Sequence, residues 1–412
     1  MATLFKGDNS TITLVEEDQG WAKPPSSYAG GKFFQNNDGS FDETRGTIES
    51  EARTPNAQLD SVRLGNKNVA GSFPVEIDPE NYTALLESAL YGEATLSGTD
   101  VSLTAVDVSG TKKFELVIPM TTGEQATAGI SVGTIFNLVV EAPLASLSDI
   151  AVVESVTATD VTFYCPAQKS ETLATTSVDL TVESIENIRP DRSIKSFNAE
   201  EILYSEDGAT IARFMTAGCV VSGVSFDLPS DASAKATFSM LASGKYAGQE
   251  YSTFDPTLTD STDAHTSVLP HVKYDPLVLQ DGELISNETN TRCIWMSGSV
   301  GIENGTETHF VGCDFDAIGT VSGKLRITLD YEALFQSEDD FVSFRNEKYN
   351  KVLLKLKDRA SDKSLIIYLP AFKATAYTLN NPNSGLVTAS ISGMATVDAG
   401  AGDSLVIGVL NG

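Results

Sequence analysis

The chain has only three histidines, His265, His271 and His309. An imidazole that works as a base or a metal ligand needs company at a fixed spacing. HExxH puts two on one helix face, and a nucleophile motif brings Ser or Cys within reach of one. Neither pattern occurs, so each histidine reads as a surface or loop residue. Carboxylates are abundant instead. Asp314 and Asp316 are spaced for acid–base work, but with 56 acidic residues in the chain such pairs arise by number alone. Asp255, Asp260 and Asp263 resemble loose calcium ligands, yet their loop lacks the Gly and the terminal Glu of an EF-hand, and a solvated loop is expected.

Cys165, Cys219, Cys293 and Cys313 show no CxxC spacing. That indicates neither a zinc site nor a disulfide framework, and it fits a reducing compartment. Gly30-Gly31 and Gly400-Ala401-Gly402 read as turns, because no strand-to-helix GxGxxG or GKT context surrounds them. Asn287-Glu288-Thr289 and Asn304-Gly305-Thr306 match a glycosylation acceptor, but that chemistry needs secretion. The segment from Met1 to Asp8 has no basic region followed by an apolar stretch, and no apolar run is long enough to span a bilayer. The expectation is a soluble protein that is not an enzyme, with no cofactor, no metal and no membrane partner.

The 56 acidic residues outnumber 28 basic ones, for a formal charge of −28. A surface that grips phosphates needs clustered Lys and Arg to displace counterions, so direct nucleic-acid binding is disfavoured. The same charge suits a surface that DNA passes without sticking. Trp295, between Ile294 and Met296, is expected in a core. Trp21, in Gly20-Trp21-Ala22-Lys23, has two readings: packing on its own domain, or gripping a neighbouring subunit.

The elements that must position these residues are mostly strands. At 412 residues, 41 % apolar and 20 % charged, the chain suits two globular domains of about 200 residues each. Residues 1–40 are rich in Gly, Ser, Asn, Asp and Pro and read as an irregular arm. Strands are expected at Phe114 to Ile118, Ile135 to Glu141, Val161 to Tyr164, Val178 to Val182, Val220 to Phe226, Val321 to Leu329, Val352 to Leu356, Leu365 to Leu369, Leu386 to Ile391 and Leu405 to Val409.

An internal comparison sets Val69-Ala70-Gly71-Ser72-Phe73-Pro74-Val75-Glu76-Ile77-Asp78 beside Val321-Ser322-Gly323-Lys324-Leu325-Arg326-Ile327-Thr328-Leu329-Asp330, at a constant offset of 321 − 69 = 252. Both put apolar residues on every second position. After the first copy, Tyr82, Leu85, Leu86, Ala89 and Leu90 have helical spacing, with Asp78 as cap, Pro79 as first residue and Gly92 as stop. After the second, Tyr331, Leu334 and Phe335 predict a shorter helix. The domain boundary is placed near Ile188-Arg189-Pro190-Asp191-Arg192, giving a first domain over 41–190 and a second over 191–412.

In this order the motifs resemble the two-domain tail tube proteins of tailed phages, especially those with noncontractile tails. The carrying segments are Glu49 to Arg53 running into Val69-Ala70-Gly71-Ser72 and Leu85 to Leu90, then Phe214 to Phe226, then Val321-Ser322-Gly323, Ile366 to Pro370, Lys373 and Gly385 to Ala395. They span some 350 residues; Gly7 to Asp38 and Gln249 to Asn290 match no named part.

The resemblance implies a mainly β protein of two similar β-sandwich or barrel-like domains, each with a short flanking helix. It implies a structural virion protein that polymerises into stacked rings as a conduit for DNA ejection. The implied partners are further copies of itself, in a trimeric ring of pseudo-hexameric symmetry stacked helically, with a tape-measure protein in the lumen. Tail terminator and distal tail proteins, and DNA in transit without specific binding, complete the set. Its place would be the virion tail, assembled in the host bacterial cytoplasm, with Trp21, Glu76 and Asp78 as candidate oligomerisation residues. The competing reading is an adhesive carbohydrate- or receptor-binding β-sandwich module, which would expose clustered Trp and Tyr.

Overall fold

The computed structural model describes residues 5–27, 31–34, 39–49, 62–77, 79–170, 172–205, 211–229, 232–247, 278–286, 290–292, 295–312, 314–335, 338–358 and 363–410. The fold is mainly β. Among the described residues, hydrogen bonding links eighteen strands into one antiparallel network, and two long strands bend it into layers. In Ile211–Pro229, residues 211–219 pair with Phe197–Ser205, while 220–229 pair with Lys235–Ala242 and Trp295–Glu303. In Ser364–Asn380, residues 364–368 pair with Val406–Leu410 and 372–380 with Thr388–Ala395.

The pairings reveal the same unit twice. In the first, the order Lys32–Phe34, Phe5–Glu16, Phe197–Ser205, 211–219 makes one layer. Phe41–Glu49, Val62–Glu76, Lys235–Ala242, 220–229 makes the other. In the second unit Asn290–Arg292, Val278–Ser286, Asn350–Lys357, 364–372 corresponds to the first layer. Trp295–Glu303, Arg326–Leu334, Thr388–Ala395, 372–380 corresponds to the second. The units join where 220–229 pairs with Trp295–Glu303, so their second layers form one continuous sheet of eight strands.

The duplication read from sequence is present, with a different register. Val69 pairs with Ala242 and Ile327 with Ala395 at matching places, so the structural offset is 327 − 69 = 258, six residues from the sequence alignment. An even slip preserves the period of two, which is why both alignments look amphipathic. Pairing also crosses the 190/191 boundary, since Phe5–Glu16 and Val62–Glu76 bond to strands of residues 197–242. The arm expected to be irregular contains the Phe5–Glu16 strand.

Between Ala94–Leu96 and Glu186–Ile188, which pair with each other, the chain makes an excursion into a closed six-stranded barrel. Around it run Asp160–Tyr164, Glu115–Pro119, Val101–Gly110, Leu173–Ser184, Ile135–Val140 and Asp149–Val156. Leu116, Ile118, Phe136, Leu138, Val161 and Phe163 fill it. The helix Thr122–Ala128 begins with a capping box, the Glu124 amide bonding Thr121 Oγ1 at 3.3 Å and the Thr121 amide bonding Glu124 Oε2 at 2.7 Å.

The barrel packs on the first layer of the second unit, whose strands are therefore covered on both faces. Val352, Leu354, Leu365, Ile367 and Ile407 enter the large core, while Leu353, Ile366, Tyr368 and Val406 meet Ile135, Ile150 and Val152 of the barrel. This two-sided burial is the physical reason for the continuous apolar runs at 352–354, 365–369 and 405–407.

Helix Pro79–Leu90 buries Tyr82, Leu85, Leu86, Ala89 and Leu90, as the spacing predicts; Asp78 lies outside the described residues. Its stop differs. Tyr91, not Gly92, takes the left-handed conformation at φ 56°, and the Gly92 amide bonds the Glu87 carbonyl at 3.0 Å. Tyr91 tolerates this strained position because its hydroxyl is held by the Asn304 carbonyl at 2.8 Å and Thr306 Oγ1 at 2.6 Å. Gly92 answers another demand: a β-carbon there would lie 1.9 Å from the Arg189 carbonyl oxygen.

The helix predicted at Tyr331, Leu334 and Phe335 is not there. Arg326–Leu334 continues as a strand that buries Ile327, Leu329, Tyr331 and Ala333, and the helix comes later, at Asp339–Arg345. Apolar residues at 331, 334 and 335 satisfy helical spacing, but the alternation beginning at 327 is longer and prevails. The single strand expected over Val321 to Leu329 is two, Gly319–Val321 and Arg326–Leu334. Phe114 precedes its strand with φ 64°.

Asn304 pins the seam between the units. Fully buried, its amide donates to the carbonyls of Ala89 at 3.1 Å and Val221 at 2.7 Å and accepts from Thr306 Oγ1 at 2.8 Å. Replacing it orphans two buried carbonyls. Asn304→Ala should cost about 2–4 kcal/mol in denaturant unfolding of the unassembled protein, and a change below the error of that measurement would remove Asn304 from the seam.

Candidate functional site

The eight-stranded sheet has one apolar and one polar face. Toward the core it turns Phe41, Phe73, Val75, Phe226, Phe238, Val300 and Leu329, with the Phe41 and Phe73 rings 4.8 Å apart. Each such buried Phe contributes about 2–3 kcal/mol. The registers place Thr237, Ser225, Gly301 and Thr328 side by side on the opposite face, and beside them Glu76, Lys235, Asp227, Ser299, Asp330 and Ser392. Most side chains on this face are short. Among its charges Asp42, Glu76, Asp227, Glu303, Asp330 and Glu332 outnumber Lys235, Arg326 and Lys373, so the face is acidic as well as polar. A shallow depression lined by Asp227, Ser297, Ser299, Asp330, Glu332, Ser390 and Ser392 crosses its middle.

Among the described residues both ends of this sheet are open. Among the described residues no strand pairs with the outer side of Phe41–Glu49; there Lys245 Nζ holds the Phe41 carbonyl oxygen at 2.8 Å. At the other end, residues 373–380 pair, among the described residues, only with Thr388–Ala395, and Phe341 and Phe344 of helix Asp339–Arg345 lie against Tyr377 at 5.5 and 6.3 Å. Unpaired backbone groups along a long edge recruit another strand.

Beyond the sheet, 45–49 and 62–67 project as a two-stranded ribbon with Ile48, Val62 and Leu64 exposed. Its base is clamped. Lys67 pairs with Asp316 at 2.9 Å, its amide bonds the Phe315 carbonyl at 2.9 Å, and the Arg45 guanidinium lies 5.4 Å from the Phe315 ring. A two-stranded ribbon is marginal alone, and the clamp fixes the base of this one.

Trp21 packs on its own chain. Its indole N–H donates to the Gly218 carbonyl at 3.1 Å, and the ring covers Gly218, whose φ of 67° and closeness to the indole, 2.9 Å from a β-carbon position, both demand glycine. Next to it Glu17 accepts from the amides of Gly218 and Ala22, each at 2.8 Å, and from Ser196 Oγ at 2.6 Å. Burial pushes the Glu17 carboxyl up to about 7, against these three donors, which hold it down. Glu76 sits at the end of its strand opposite Lys235, on the polar face. The structure thus does not bring Trp21 and Glu76 together; Asp78 lies outside the described residues.

The remaining candidates resolve into structural roles. Asp316 is ion-paired with Lys67 and accepts from the Tyr246 hydroxyl at 3.2 Å. His309 is exposed on a short strand beside Gly319. Cys165 and Cys219 are buried thiols that donate to the carbonyls of Leu147 at 3.6 Å and Thr216 at 3.4 Å. Asp398 closes the 398–403 turn by accepting from the amides of Gly400 and Ala401, each at 2.8 Å. Trp295 is half-buried, stacked on Tyr331 at 5.1 Å and 11°. Asn304 is sealed in the seam, which closes that acceptor to any sugar. His265, His271, Asp255, Asp260, Asp263, Cys293, Cys313 and Asn287 lie outside the described residues. The sequence reasoning missed the barrel and the open sheet ends; the Thr121/Glu124 capping spacing marked one barrel helix.

A family profile described as phage tail tube protein matches residues 7–395. No curated protein matches the chain.

Because the Glu17 pKa is raised from 4.5 to about 7, its site stabilises docking at low pH and loses that contribution as pH rises through about 7. In a Trp295→Phe background, Trp21 emission should therefore shift to the red between pH 6 and 8.5, and Glu17→Gln should flatten the profile. Emission independent of pH in both proteins would contradict this assignment.

Proposed function

The chain belongs to the phage tail tube protein family, and from that premise we propose that copies of it close into rings and stack into the hollow tube through which DNA leaves the virion. The observation that carries this reading is the eight-stranded sheet, open at both ends among the described residues, apolar toward the core and acidic on its other face. A sheet with two free edges satisfies its backbone by adding strands, and a ring of copies leaves no edge at all.

Each copy brings two equivalent units, so a ring of three presents six. Three sheets of eight strands give a wall of 3 × 8 = 24, beyond the 16–18 at which closed barrels already enclose water. At about 4.8 Å between strands the backbone diameter is about 37 Å before tilt widens it, wider than a DNA duplex. The first layers, helices and barrel all sit on the apolar side of the sheet. On closure they must lie outside, which turns the acidic face inward. Glu76, Asp227, Asp330 and Glu332 would then repel phosphates rather than bind them.

The ribbon of 45–49 and 62–67 is the element placed for contact between stacked rings, with Ile48, Val62 and Leu64 offered to the next ring. Glu76 faces the bore in this arrangement, and Trp21 fastens the N-terminal strand so that its sheet keeps its shape. A tape-measure protein would occupy the bore during assembly in the host cytoplasm, with terminator and distal tail proteins at the two ends, in a noncontractile tail.

Electron microscopy of the purified protein at rising concentration should show rings and hollow rods. Short duplex DNA should fail to sediment with them, and the Asp227→Lys, Asp330→Lys, Glu332→Lys variant should form the same rods while retaining DNA in a salt-sensitive way. Dispersed monomers at every concentration and salt would overturn the proposal. Equal DNA retention by both proteins would overturn the inward acidic face.

A further inference from the structure

The two units correspond residue by residue along the edges that matter. The register break between Val221 and Gly223 recurs between Ala374 and Ala376. Superposing the breaks carries 223–229 onto 376–382 and Pro229 onto Pro382. On the other side, the pairings carry 39–44 onto 298–303. Gly39 falls on Gly298, and a β-carbon would lie 2.6 Å from the Ser72 carbonyl oxygen at one and 2.7 Å from that of Asp330 at the other. Ser72 and Asp330 are themselves an equivalent pair, 258 apart.

Inside the chain, 223–229 pairs with 297–303. The counterparts of these two strands are the two open ends of the sheet. Resting on the ring reading above, we propose that the open ends join between successive copies in the register of the internal seam. Thr378 then lies opposite the next copy's Asp42, as Ser225 lies opposite Gly301, and Leu379 opposite Phe41, as Phe226 lies opposite Val300.

Exposure carries the inference. Phe226 is 0 % exposed in the internal seam, whereas Leu379, its counterpart on the core-facing side, is 47 % exposed. An apolar side chain bare at a seam position marks the place of a missing neighbour. Strand direction agrees. With an even number of antiparallel strands per copy, the last strand of one copy meets the first of the next antiparallel. One feature of the internal seam is not repeated: Asn304, which pins it, has Arg45 as its counterpart. The seam between copies lacks that lock, and a seam without it can form after folding.

The test uses the full chain in a Cys293→Ser, Cys313→Ser background, oxidised after assembly and run without reductant. Thr378→Cys with Asp42→Cys should give a ladder of linked oligomers ending in a closed ring, since directly opposite β-carbons are within disulfide reach and those displaced by two residues are not. The displaced pair Thr378→Cys with Thr44→Cys should give little. Rings in the microscope with linkage through the displaced pair, or through neither pair, would overturn the register and leave the ring reading standing. Absence of rings from the wild-type protein would overturn the ring reading and this inference with it. As a second readout, Leu379→Asp should abolish assembly at unchanged Tm; a lowered Tm would return Leu379 to the core of its own copy and contradict its place at a seam.

Discussion

A β-strand at the margin of a sheet holds half of its backbone donors and acceptors out to solvent, and the organisation of this molecule follows from where that deficit is met. Between its two units it is met internally, strand 220–229 against Trp295–Glu303, with Asn304 tying the seam to helix Pro79–Leu90 through the Ala89 carbonyl. At both ends of the same sheet it is left open among the described residues. A duplicated unit that has joined once within the chain retains, at its extremities, the same two surfaces that made the join.

The other layers serve to keep that sheet in shape. The bent strands Ile211–Pro229 and Ser364–Asn380 belong to two layers each, so neither layer can slide without breaking hydrogen bonds in the other. The inserted barrel backs the second unit through Ile135, Ile150 and Val152 and through the Lys351–Glu154 ion pair at 2.7 Å. Asn187 adds a two-way hydrogen bond with the backbone of Ile135, 3.1 Å in each direction. Rigid backing of this kind is what a surface needs if copies are to meet in a single register.

Much of this was legible in the sequence, and the failures have physical causes. Continuous runs such as Leu365 to Leu369 reported strands buried on two faces, and Tyr82 to Leu90 reported a helix, because periodicity follows burial directly. The duplication was visible in Val69 to Asp78, but its offset was not, since a slip of six residues keeps every side chain on its face. Tyr91 took a glycine's conformation because two partners 213 and 215 residues away hold its hydroxyl, which no local pattern encodes. The barrel stayed hidden for a related reason. Its strands alternate like those around them, and only the long-range pairing of 94–96 with 186–188 marks it as an excursion. The candidate site was harder still, because Trp21 stood out by residue type while Leu379 stands out only by its exposure at a seam.

Open ends of a sheet have a definite fate in an assembled particle, and the particle's inner wall records it. A cryo-electron microscopy reconstruction at main-chain resolution should show one unbroken antiparallel sheet passing from copy to copy, with Asp227 and Asp330 pointing into the bore. Copies meeting only through side chains across a gap in the sheet, or with this face turned outward, would contradict the account.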